Sequence, residues 1–208
     1  MTLRPAAEQN LSPRTLLQAS TRWVAAAVAD GMRPVALDLR AGAQAAQRSL
    51  AVDQAGEVRA MTDLRAGLDR LDERLAALQR PSTLPGARVR LLPEREVAAA
   101  VSLLADAGAH LGSAIDERTP RVSGHPGLIG VATLHLLLGH AQLHDLAVRA
   151  DRPAPDRLRV QIVDPGSADR ILDGTLHVTV LATVVDALGG QLDLQADTGP
   201  GFEVPLEL

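Results

Sequence analysis

Six histidines, His110, His125, His135, His140, His144 and His177, are the side chains here that change charge nearest neutral pH. His140 and His144 are spaced i, i+4, with His135 upstream and Asp145 beside them. On one helix that spacing would bring imidazoles to one face and could suit zinc or another imidazole-loving metal. A zinc-protease helix also needs a glutamate after its first histidine, and Ala141 stands there instead. By spacing alone, a metal therefore ranks below plain surface or core histidines. Asp164-Pro165-Gly166 offers a carboxylate at a turn, and its plainest reading is the end of a strand.

What is missing narrows the chemistry further. There is no lysine, and all 21 basic residues are arginine, so Schiff bases, P-loops and kinase strand lysines are excluded. There is no cysteine, which removes disulfides and thiolate chemistry and fits a reducing, cytoplasmic setting. Asn10 is the sole asparagine. A formal charge of −4 argues against a nucleic-acid partner. No signal-like N-terminus or membrane-length apolar run is present, so no membrane partner is expected.

The elements that would position these residues can be read from periodicity. Ser12-Pro13 starts a helix that stays helix-compatible to about residue 52, with Gly31 and Pro34 expected to kink or interrupt it. After a turn at 53–56, Met61, Leu64, Leu68, Leu71, Leu75 and Leu78 follow a 3-4 spacing, an apolar seam with charged residues on the other faces. Pro81–Gly86 reads as a linker. Beyond it the spacing predicts strands at 87–92, 121–123, 158–164, 191–196 and 202–208. Helices are expected at 93–109, at 126–150 and, with a strand as the alternative, at 176–188. Residues 151–156 read as a loop, and Gly189-Gly190 as a helix stop.

Five strings occur in a telling order. They are Val35-Ala36-Leu37-Asp38-Leu39-Arg40, Val122-Ser123-Gly124-His125-Pro126, Leu136-Leu137-Leu138-Gly139-His140-Ala141, Asp164-Pro165-Gly166-Ser167-Ala168, and Thr175-Leu176-His177 followed by Val185-Asp186-Ala187-Leu188-Gly189-Gly190. Together they resemble the catalytic core of bacterial sensor histidine kinases, from about Val35 to the C-terminus. The first resembles the phosphoacceptor box, the second the Gly-Asp-Pro entry to a long helix, and the third Asn-Leu-Leu-x-Asn-Ala. The fourth resembles Asp-x-Gly-x-Gly and the last the glycines and helix beside the nucleotide phosphates.

The resemblance implies an α+β fold. A helical hairpin over residues 1–82 would form a four-helix bundle on dimerisation, and residues 83–208 would form a two-layer α/β sandwich of the histidine-kinase ATPase type. It also shows what has been replaced. Leu37 stands at the phosphoacceptor position and the hairpin holds no histidine, so no nucleophile remains there. His140 takes the place of the magnesium-binding asparagine, and an imidazole is a poor magnesium ligand. Thr175 and His177 replace glycines that let backbone approach phosphates. His140, His144, Asp164, Gly166 and His177 would then line a vestigial nucleotide pocket, and no cofactor or metal is expected. The implied function is that of a non-catalytic, histidine-kinase-like signalling protein. It would dimerise through the 61–78 seam and dock a response-regulator receiver domain or a histidine kinase at Leu37, Asp38, Arg40 and Ala41. The alternatives are a histidine phosphotransferase, or a ligand or metal sensor using the vacated pocket.

Overall fold

The computed structural model describes residues 12–49, 55–79, 88–115, 121–140, 144–163, 175–195 and 199–207. Its contacts divide the chain into two units. One runs from Ala25 through Thr83, and the other joins the residues up to Val24 to everything from Leu84 on. The first helix thus begins in one unit and ends in the other, whereas a single boundary near residue 82 was expected.

The hairpin unit is formed by α1 (Pro13–Ser49) from Ala25 onward and α2 (Ala55–Gln79). Arg33 pairs with Asp72 at 3.9 Å, Arg40 with Asp69 at 3.0 Å, and Gln47 donates to Thr62 at 3.4 Å. Partners fall in number as α1 rises, so the helices are antiparallel. Their buried seam is built from Ala29 and Ala36 of α1 against Leu75, with Leu71 packed beside them. Small residues one heptad apart let the leucines of α2 sit close. The interruption expected at Gly31 and Pro34 does not occur, and α1 is continuous through both. Pro34 forfeits one backbone hydrogen bond, and the alanines flanking it, Ala29 and Ala36, are buried in the seam against Leu75.

The second unit is a sheet with helices on one face. The strand order is β2 (His110–Ile115), β4 (His144–Ala154), β5 (Arg157–Val163), β7 (Gly201–Pro205) and β6 (Gln191–Asp193). β2 and β4 are parallel and the other pairs antiparallel. β1 (Val89–Leu91) and β3 (Val122–Gly124) form a separate antiparallel pair. Period-two alternation sends Leu146, Val148 and Ala150 of β4, Leu158, Val160 and Ile162 of β5, and Phe202 and Val204 of β7 into the core. Arg149, Asp151, Arg159 and Glu203 lie on the opposite, polar face, joined by ion pairs at 3.1 Å for Arg159–Asp151 and 3.3 Å for Arg149–Asp151. The helical layer is α3 (Pro93–Asp106), α4 (Leu128–Leu138) and α5 (Leu176–Ala187), with α4 between the other two. Its central place explains why α4 is apolar on every side.

Two segments differ from expectation, and one strand was not expected. The helix expected over 126–150 ends at Leu138, and β4 begins at His144. The apolar run stops at Gly139, and from Leu146 on burial alternates, which is strand rather than helix periodicity. The loop expected at 151–156 shrinks to a turn at Pro155–Asp156, because β4 continues through Ala154. β2 was not foreseen: its small, uncharged residues carry little alternation, and its pairing with β4 comes from a distant segment. Gly189 does end α5, at φ +67°.

Candidate functional site

Among the described residues, the sandwich holds an internal polar relay. His135, on the third turn of α4, is buried. Its Nε2 lies 2.9 Å from the Ser20 hydroxyl of α1, and its Nδ1 lies 3.2 Å from Nδ1 of His177. His177 sits in the first turn of α5 and is partly exposed. The two ring centres are 5.3 Å apart, and a proton on either facing nitrogen makes the two rings a hydrogen-bonded pair. Burial holds His135 well below the usual imidazole range, at about 4, and the neighbouring His177 pushes the same way. Thr175 caps α5 by accepting from the Val178 N–H at 3.4 Å, which fixes the turn that carries His177.

A buried carboxylate sets the other end of α4. Glu96 of α3 accepts from the backbone N–H groups of Gly127 at 2.7 Å, Ile129 at 3.1 Å and Gly130 at 3.2 Å. Gly127 has φ 90° and no capping side chain of its own, so a glutamate from another helix serves the cap. Desolvation pushes Glu96 up to about 7, against the pull of those three donors. Nearby in sequence, Glu94 pairs with Arg152 of β4 at 2.8 Å, almost wholly out of water.

The residues singled out from the sequence are dispersed rather than gathered. His140 follows α4 and is buried, while His144 opens β4 and its side chain lies outside the described residues. They do not share a helix, so the i, i+4 metal geometry is corrected. The helix ends at Leu138, before either residue. Among the described residues, no three of His, Cys, Asp or Glu gather as a metal site. Asp164 and Gly166 lie outside the described residues. His177 is in the relay. The relay's other members, His135 and Ser20, were missed as a pair. They are 115 residues apart, and no local signal joins them.

On the hairpin, Leu37, Asp38 and Ala41 are exposed, while Arg40 is tied to Asp69. The seam expected on α2 divides. Leu68 and Leu75 are already buried within the chain, Leu71 packs beside them, Met61 is half-buried and Leu64 is exposed. The side chain of Leu78 lies outside the described residues. The uncovered apolar stripe is instead on α1, at Val28 (42% exposed), Met32 (44%), Val35 (50%) and Leu39 (56%). Next to it is an open groove of about 500 Å³ lined by Val35, Leu39, Gly42, Ala46, Met61 and Leu64.

Fold and site together define an α+β protein: a helical hairpin and a sandwich of three helices on a mixed five-stranded sheet. No protein-family model matches the chain, and no curated protein matches it either. Among solved structures, the chain is similar to histidine kinases. Full-length ShkA in complex with AMPPNP shares 15% identity at a TM-score of 0.47, over 94% of this chain and 46% of that one. The Acinetobacter baumannii histidine kinase AdeS shares 14% at 0.47, over 83% and 94%. The mycobacterial sensor histidine kinase MprB shares 18% at 0.41, over 58% and 99%. The chain spans less than half the length of ShkA. No helix among the described residues is long and apolar enough to cross a membrane.

Proposed function

We propose that the chain acts by binding other proteins in a two-component-type pathway, as a non-catalytic, histidine-kinase-like dimer. The observation that carries this reading is the α1 stripe. Val28, Met32, Val35 and Leu39 repeat at 4-3-4 spacing, each at least two-fifths exposed, while alanines occupy the buried seam behind them. A heptad stripe of large apolar side chains facing water is what a second helical hairpin covers. Leu37 in place of a phosphoacceptor, with no histidine in the hairpin, supports binding over self-phosphorylation. Leu37, Asp38 and Ala41, exposed on α1, together with Arg40 would receive a receiver domain or a kinase.

Light scattering on the purified chain is the direct test: a mass twice the monomer's is expected at micromolar concentration. The double variant Val35→Asp, Leu39→Asp should give a folded monomer with an unchanged circular dichroism spectrum. A wild-type monomer at that concentration would remove the reading.

A second reading is favoured by the His135–His177 pair. A histidine phosphotransferase needs a nucleophilic imidazole, and the sandwich holds one that is oriented by two other side chains.

A further inference from the structure

We propose that His177 accepts a phosphoryl group at Nε2 from an acyl phosphate, with His135 and Ser20 as positioning residues. The inference rests on the second reading above and names the residue that would serve it in place of Leu37.

The arrangement is that of an activated nucleophile: a reactive side chain within hydrogen-bond reach of a base-type group, which a third group orients. His177 is tied at Nδ1 to His135 at 3.2 Å, and His135 is tied at Nε2 to Ser20 at 2.9 Å. For Nε2 of His177 to carry a lone pair, its proton must sit on Nδ1 and be donated to Nδ1 of His135. His135 must then hold its own proton on Nε2 and donate it to the Ser20 oxygen. The chain of donors and acceptors closes in that direction without any charged member. Burial keeps His135 neutral, which preserves its Nδ1 as an acceptor. A charged His135 would donate at both nitrogens and break the arrangement.

Among the described residues, His135 and His140 are buried and His110 stands exposed on an edge strand, while His125 is partly exposed but its buried Nδ1 has no hydrogen-bond partner. His177 is the partly exposed one whose ring is held at one nitrogen by a buried partner, and no partner for its Nε2 is seen among the described residues. It lies in the first turn of a 12-residue helix, where the backbone dipole favours the negative charge that a phosphoryl group brings.

The Nε2 lone pair forms the N–P bond while the P–O bond to the acyl carboxylate breaks. The carboxylate leaves with that electron pair. The ring becomes cationic, and its Nδ1–H remains hydrogen-bonded to Nδ1 of His135 until the proton passes to water.

The test uses the full chain and acetyl phosphate as a small acyl phosphate donor, followed by peptide mapping of acid-labile adducts. His177 should label at least tenfold faster than exposed His110, and His177→Asn should remove that adduct while His110 still labels. Ser20→Ala should slow labelling of His177 several-fold with no change at His110, a difference that a merely structural role would not produce. A His177 rate less than tenfold above that of His110, or no adduct at His177, overturns the proposal. The wild-type map decides this even if a variant misfolds. Equal His177 labelling in Ser20→Ala overturns the relay. A labelled chain that then passes its phosphoryl group to no receiver domain would overturn phosphotransfer while leaving the acceptor site standing.

Discussion

Replacing Glu96 by glutamine should change the slope of stability against pH, not only its level. In the folded chain Glu96 titrates at about 7, against an ordinary 4.5. The folded state therefore binds more protons than the unfolded one between those values. The stability Glu96 contributes is fully present below pH 4.5 and is lost as pH rises through 7, by on the order of 3 kcal/mol. His135 acts in the opposite sense. It is held at about 4, against an ordinary 6.5, so the folded state binds fewer protons in that range. Its contribution is present above pH 6.5 and is lost as pH falls through 4, again by on the order of 3 kcal/mol. Between pH 4.5 and 6.5 the two slopes cancel.

Glu96→Gln leaves His135 unopposed, so stability should rise with pH from about 4 to 6.5. His135→Leu leaves Glu96 unopposed, so stability should fall from about 4.5 to 7. Both variants also lose about 1–3 kcal/mol at every pH, because buried hydrogen-bond partners are stranded. That offset leaves the slopes untouched. Urea denaturation at half-unit pH steps measures the effect, read by the fluorescence of Trp23, the sole tryptophan, which lies in the sandwich unit. Subtracting the wild-type profile removes every other titrating group. A Glu96→Gln difference profile that is flat between pH 4.5 and 7 would show that the carboxyl titrates normally, and the burial argument would fail.

Three further outcomes follow from packing. Leu75→Ala should destabilise the hairpin by about 2–5 kcal/mol, while Leu64→Ala at an exposed position changes the monomer's stability by less than about 0.5 kcal/mol, both read by far-ultraviolet circular dichroism in urea. Arg152→Leu alone should cost about 3–5 kcal/mol by stranding Glu94, whereas the double change Glu94→Leu, Arg152→Met should restore most of that loss; equal losses would show that a stranded Glu94 is not their cause. Gly199→Ala should lower the melting temperature by several degrees. Gly199 has φ +107°, and an added Cβ would collide with the carbonyl of Ile162; an unchanged melting temperature would contradict that crowding.

Much of the fold was legible because local pattern and tertiary role agree. Leu158, Val160 and Ile162 alternate in sequence and in burial, and Gly189-Gly190 stops α5 as its composition suggests. The 3-4 leucines of α2 mark a helix with an apolar seam. They do not say which partner covers it, and Leu68 and Leu75 are covered from within the chain. The end of α4 was obscured because the central helix is apolar on every side and runs toward a strand whose buried face is also apolar. Periodicity cannot separate two apolar elements across a short gap. The relay was hidden for a different reason. Ser20, His135 and His177 come from three distant segments, and only packing α1, α4 and α5 together makes them neighbours. The glutamate cap on α4 was invisible for the same reason, since a sequence scan looks for a cap beside the helix it serves.

The distribution of side-chain size on α1 supports a binding role on energetic grounds. A hairpin selected only to be stable alone would turn its large apolar residues inward and its alanines outward. Here Ala29 and Ala36 face α2, while Val28, Met32, Val35 and Leu39 face water at 42%, 44%, 50% and 56% exposure. About half of each outward side chain stays in water and brings no burial energy to the isolated chain. Covering the stripe would add about 1 kcal/mol per side chain at usual transfer values, and a symmetric partner would contribute the same again from its own stripe. Several kcal/mol of unrealised burial therefore sits on one helix face. The small residues behind it draw the two helices close, which keeps the stripe narrow and its spacing regular. That combination is costly for a monomer and favourable for an assembly. It is the combination that the proposed binding role of the hairpin requires, whether or not any phosphoryl group passes through the sandwich.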